Sequence, residues 1–250
     1  MIDFTLFSLN LFLLSVFFYN PIFNIFVKKN KIKKNYLNYH QLIFLVILSN
    51  LFILFSFFTF FTENIKIIFY FFLLTSILSY SLLIKKNLSK SFLIELIFIF
   101  AISLLLSINI FSNPSLGWDG NFWIEKTQLF YEGKSFKSLN ETIFPYYPQF
   151  GSFIWAFFWK SGLQNYEIVG RSAYIIIYVI SIFSLCSHQK LNDLEKFLFS
   201  IILIFLTYKV EHFTGYQDIL IFSFIIFSYI LFENYKKNSN IINLIIFNLS

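Results

Sequence analysis

The feature that most constrains this chain is a repeated alternation. Apolar runs of roughly membrane-spanning length are separated by short lysine clusters. Phe4 to Val27 is such a run, and it is followed by "KKNKIKKN". An α-helix rises 1.5 Å per residue, so about 20 apolar residues cross about 30 Å of hydrocarbon. An all-α polytopic membrane protein is expected, with about 7–8 transmembrane helices in one domain covering residues 1–250.

Composition agrees. The chain is 58% hydrophobic and 13% charged, where a soluble domain is nearer a quarter charged. The net charge of +6 does not point to nucleic acid, because the lysines flank apolar runs as cytoplasmic topology signals do. One cysteine, Cys186, excludes an internal disulfide and a thiolate cluster.

Expected spans are Phe4–Val27, Gln41–Phe61, Ile67–Ile84, Ser91–Phe111, Tyr166–Ser187, Phe197–Tyr208 and Ile219–Phe232. The lysines at 28–34, 85–86, 190, 196 and 236–237 lie on the cytoplasmic side in this reading. Residues 113–149 then form one large extracytoplasmic loop with surface helices. "FGSFIWAFFWKSG" is short for a span, and 150–162 is expected to be an interfacial or re-entrant helix. If it spans instead, everything after it changes side. Trp155 and Trp159, four apart, would share one face as interface anchors. The last ten residues, "IINLIIFNLS", read as half of an eighth span, so a truncated chain or the front part of a longer architecture is expected.

The loop carries the chemistry. "NPSLGWDGNFWIEKTQLFYEGKSF" contains Asp119 between Trp118 and Gly120, close to the end of a span. A carboxylate at that depth can meet a reactive group held at the lipid surface. The competing reading is that a long loop needs solvated charge, as Glu125, Glu132 and Glu141 illustrate. "IEKTQLFYEGKSF" reads as an amphipathic helix that ends at Gly133. In "PYYPQFG", Tyr146 and Tyr147 offer amphipathic rings suited to headgroups or sugars. Arg171, the only arginine, lies at the outer end of a span. It either binds phosphate or snorkels from a helix end. Glu211 and His212 are adjacent in "EHFTGYQDIL". Neighbours on a helix diverge by about 100°, so no cofactor is identified, and a divalent metal has no further support there.

Four segments, "WDGNFWIEKTQLFYEGKSF", "YYPQFGSFIWAFFW", "YEIVGRSAY" and "GYQDILIFSF", occur in an order that resembles the GT-C superfamily of membrane glycosyltransferases. That superfamily includes protein O-mannosyltransferases and the lipid A aminoarabinose transferase. The resemblance covers roughly Gly117 to Phe224. It implies a sugar transferase of the bacterial inner membrane that uses a polyprenyl-phosphate-linked donor and a lipid, glycan or protein acceptor. By the same resemblance Asp119 is the catalytic carboxylate and Arg171 contacts the donor phosphate. Asp218 and Tyr216 shape the pocket, and Trp118 and Tyr147 complete the substrate-binding set. Many relatives carry two consecutive acids at the loop start, whereas this chain has Trp-Asp-Gly. The alternatives are a flippase or transporter component for lipid-linked glycans, or a non-catalytic scaffold. A transporter calls for ionisable residues at mid-membrane, and most charges here lie at span ends.

Overall fold

The computed structural model describes residues 3–22, 34–85, 89–112, 115–143, 145, 149–163, 166–189 and 191–237. Among these residues every regular element is helical. In chain order the helices are α1 (Phe4–Phe18), α2 (Lys34–Ser56), α3 (Thr59–Glu63), α4 (Ile65–Lys85) and α5 (Ser89–Ser112). They continue with α6 (Trp118–Tyr131), α7 (Phe150–Ser161), α8 (Glu167–His188), α9 (Asp193–Thr207) and α10 (Asp218–Lys237). Short 3-10 turns follow at Phe136–Glu141 and Val210–Phe213.

Among the described residues, four segments are long and apolar enough to cross a membrane: Ile65–Leu83, Ser91–Phe111, Glu167–His188 and Asp218–Lys236. Phe4–Phe18 and Leu42–Ser56 are shorter apolar helices. Helix α1 covers only the front part of the first apolar run, and residues 23–27 of that run lie outside the described residues. Pro21 disfavours helical geometry at Asn20, and α1 stops at Phe18 with the Tyr19 N–H closing on the Ser15 carbonyl at 2.9 Å. By contrast α9 starts before the apolar run. A capping box sets its origin: the Asn192 side chain accepts from the Glu195 N–H, and Glu195 accepts from the Asn192 N–H, both at 2.9 Å. The expected half-span at 241–250 lies outside the described residues.

Helix α8 is the axle of the bundle, with 94% of its apolar window buried. It packs against α1, α2, α5, α7, α9 and α10. The helices around it present apolar stripes outward. On α4 these are Ile67, Phe71, Leu74 and Leu78, at spacings of three and four that mark one helix face. On α10 they are Ile221, Ile225 and Tyr229. Continuous apolar faces of this length are rare on soluble monomers, and they suit a lipid surrounding.

Helix α7 is short, as expected, and is packed inside the bundle. Its 12 residues reach only about 18 Å, short of a bilayer core. It is not a surface helix, however: Gly151 to Phe158 are all buried. Trp155 has no exposed surface and sits in the core rather than anchoring an interface. The reason is Gly170. The Trp155 carbonyl lies 2.3 Å from where a Gly170 side chain would begin, so α7 and α8 cross almost backbone to backbone. Helix α6 lies across α7. It ends at Gly133 as expected, with φ +93°, Lys134 N–H to Leu129 O at 2.9 Å and Gly133 N–H to Phe130 O at 3.0 Å, a Schellman motif.

One buried charge network was not anticipated. Glu95 and Lys196, at 4% and 8% exposure, pair at 2.6 Å. Tyr19 donates to the other Glu95 oxygen at 2.5 Å, and Tyr80 donates to the Tyr19 carbonyl at 2.6 Å. These residues lie at the end of the bundle away from residues 115–120. A lone acid in "SFLIELIFIF" was the available signal, since an intramembrane carboxylate needs a partner.

Candidate functional site

The four segments singled out in the sequence meet at one end of the bundle, and glycines bring them together. Residues 115–120 lead into α6 and lie against the strap 213–217 that leads into α10. The Gly117 N–H donates to the Thr214 carbonyl at 2.7 Å. The Tyr216 ring covers Gly117, 2.4 Å from where its side chain would begin. A Cβ on Gly120 would stand 2.3 Å from the Thr214 carbonyl oxygen, and one on Gly215 would stand 2.6 Å from the Gly120 Cα. Gly215 also has φ +104°, a backbone that L residues avoid. The Trp155 ring, from α7, packs beneath Gly215.

Arg171 ties the two segments to α8. It has no exposed surface. One guanidinium nitrogen reaches the Ser115 carbonyl at 3.2 Å and the Phe213 carbonyl at 3.4 Å, one on each side of the strap contact. The other terminal nitrogen donates to Glu167 at 3.0 Å. The Nε–Oε1 approach of 2.7 Å is an ion contact that is off line for a hydrogen bond. Glu167, one turn earlier, is thus a site residue that the sequence reading passed over, although an acid four residues before an arginine was visible. The Arg171 guanidinium lies 5.9 Å over the Trp155 ring. Its place in the structure is a buried brace, rather than a cation presented at the surface.

The other expected residues are placed as follows. Trp118 is 73% exposed, with its ring edge-on to Phe122 at 5.0 Å. Tyr216 is half-buried against Gly117, and Asp218 is exposed at the first position of α10. Asp119 holds the second position of α6, where a carboxylate favours the positive helix end, and its side chain lies outside the described residues. Tyr147 also lies outside them, as do the side chains of Glu211 and His212. Among the described residues no group of three or more His, Cys, Asp or Glu gathers as a metal site.

No family model, curated protein or solved structure matches this chain.

A hollow of about 540 Å³ opens beside the cluster, between α2 and α10. Gln217 and Asp218 stand at one end, near Trp123 and Gly151. Val46, Ile53, Ile221, Phe224 and Ile225 form walls that follow α10 to Ser228, about 15 Å along the helix. Its polar wall residues bond to their own helices: Ser49 to Leu45 O at 2.7 Å, Asn50 to Val46 O at 2.9 Å and Ser228 to Phe224 O at 2.9 Å. The groove is therefore greasier than its residue names suggest. Gln217 is aligned by the Ser152 hydroxyl, to which its amide donates at 3.1 Å. On the flank of α6, burial holds the Lys126 ammonium below the ordinary lysine range, and Glu125 acts in the opposite sense.

Proposed function

We propose that this chain is a membrane glycosyltransferase of the GT-C type. It takes a sugar from a polyprenyl-phosphate-linked donor and passes it to a lipid, glycan or protein acceptor at the extracytoplasmic face of a bacterial inner membrane. In this reading the bundle has 7–8 spans and residues 113–149 face outward. The carrying observation is the groove between α2 and α10: it is apolar along its length, polar at one end, and that end adjoins the start of α6 and the strap 213–217. This is the shape a lipid chain with a polar head requires.

Asp119 acts as the base on the acceptor hydroxyl, in keeping with its place at the helix start. Asp218, Tyr216 and Trp118 orient the sugar. Arg171, held by Glu167, positions the two segments that carry these groups. A transporter reading would draw on the buried Glu95–Lys196 pair. Both residues lie within the first two turns of their helices, as a structural pair does, and not at mid-span.

The test is transfer in liposomes from a radiolabelled polyprenyl-phospho-sugar to cell-envelope acceptors. Wild type is expected to move label, and Asp119→Asn is expected to lose it while inserting and unfolding normally. Equal label transfer by Asp119→Asn removes the catalytic assignment. Absence of transfer from folded wild type removes the glycosyltransferase reading.

A further inference from the structure

A second hollow, of about 330 Å³, lies on the opposite side of the α10 start from the groove. Tyr178, Leu206, Ile219 and Phe222 line it, with Thr207, Lys209 and Asp218. Asp218 lines both hollows. The first turn of α10 is thus a wall with an apolar hollow on either side and a carboxylate at the shared rim.

Three observations say what fills the second hollow. Its floor is apolar in effect, because the Tyr178 hydroxyl is occupied by the Ile204 carbonyl at 2.9 Å and by Thr207 at 2.7 Å. It opens onto an outward apolar stripe: Leu206 is 75% exposed, and Ile202 and Phe205 continue the stripe along α9. Such a stripe faces hydrocarbon, so the neighbouring volume is acyl chain rather than water. Lys209 is exposed just beyond the end of α9, at the depth where a lysine reaches lipid phosphate.

We infer that this hollow binds one glycerophospholipid with a hydroxylated headgroup. A chain lies against Leu206, Ile219 and Phe222, the phosphate lies at Lys209, and a headgroup hydroxyl donates to Asp218. On the glycosyltransferase reading, on which this step rests, that lipid is the acceptor. The headgroup oxygen bonds to the anomeric carbon. The anomeric C–O bond to the donor phosphate breaks, and its electron pair leaves with the polyprenyl phosphate. The proton of this reacting hydroxyl, a neighbour of the one held by Asp218, passes to the Asp119 carboxylate and then to water. Two lipids held on either side of one carboxylate meet at the membrane surface without either leaving the bilayer.

The test uses the full chain, delipidated in detergent and titrated with phosphatidylglycerol or phosphatidylcholine by native mass spectrometry. Phosphatidylglycerol is expected to be retained in preference, because phosphatidylcholine has no headgroup donor. Lys209→Glu, a surface change, is expected to weaken retention about tenfold. Ile219→Trp, which fills the hollow, is expected to remove the specific lipid. Should Ile219→Trp not fold, Lys209→Glu alone decides. Equal retention by wild type and Lys209→Glu overturns the lipid site. In the transfer assay the label is expected on a glycerophospholipid that separates from the polyprenyl donor by thin-layer chromatography of the organic extract. Label on protein or glycan overturns the acceptor assignment and leaves the glycosyltransferase reading standing. Lysine-dependent retention with no transfer at all removes that reading, and the acceptor role with it, while the lipid site stands.

Discussion

Gly120→Ala tests whether the site depends on the contact between the start of α6 and the strap 213–217. The added methyl would stand 2.3 Å from the Thr214 carbonyl oxygen, where ordinary contact begins near 3.4 Å. The obstacle is backbone, so the two segments must part by about 1.1 Å along that line. Overpacking of this kind costs about 1–3 kcal/mol. The parting also stretches the Gly117–Thr214 hydrogen bond, a net loss of about 1 kcal/mol, which the better helix propensity of alanine roughly offsets. A net loss of about 1–3 kcal/mol corresponds to roughly 2–12 °C in unfolding temperature for a chain of this size. Gly133→Ala is the matched control. It lies at the other end of the same helix, about 20 Å away, and its φ of +93° makes alanine cost about 1–2 kcal/mol. Thermal unfolding in detergent is expected to fall for both variants. Transfer activity, measured below either transition, is expected to fall about 100-fold for Gly120→Ala only, because a displacement near 1 Å misaligns reacting groups. An unchanged unfolding temperature for Gly120→Ala, or equal activity loss in the two variants, would refute the reasoning.

Glu95→Ala strands Lys196 in the bundle and is expected to lower stability by about 3–5 kcal/mol, whereas Glu95→Leu with Lys196→Met restores most of it; chemical denaturation of the three proteins checks this. Arg171→Ala leaves Glu167 and the Ser115 and Phe213 carbonyls without their shared donor. It is expected to cost about 3 kcal/mol of stability, with Arg171→Lys intermediate because a lysine has no fork to bridge them. Burial lowers the ammonium values of Lys126 and Lys160. The unfolded chain therefore binds more protons than the folded one between those lowered values and the ordinary lysine value. Stability is expected to rise with pH through that window. Unfolding temperatures across alkaline pH should show a smaller rise for Lys126→Met.

Much of the class was legible in the sequence. Apolar runs near 20 residues admit few solutions in lipid, so helices α4, α5, α8 and α10 appear where hydropathy places them. Local chemistry was legible too. Gly133 ends α6 because only a residue free of a Cβ penalty takes that backbone. The "N-D-L-E" box set the start of α9 and was there to be read, as was Pro21 at the end of α1. These signals act over three or four residues, which is the range of a turn or a cap.

Tertiary structure decided what those ranges do not reach. Trp155 looked like an interface anchor, yet it is fully buried, because Gly170 on the next helix lets α7 sink against α8. Arg171 looked like a cation for a ligand, yet Glu167 and two distant carbonyls surround it. Glu95 and Lys196 are 101 positions apart, and neither run alone names the other as partner. Hydropathy places a helix in the membrane but not around its own axis. Which face meets a neighbour and which meets lipid is set when several helices pack at once, and small residues such as Gly120, Gly170 and Gly215 choose where they come closest.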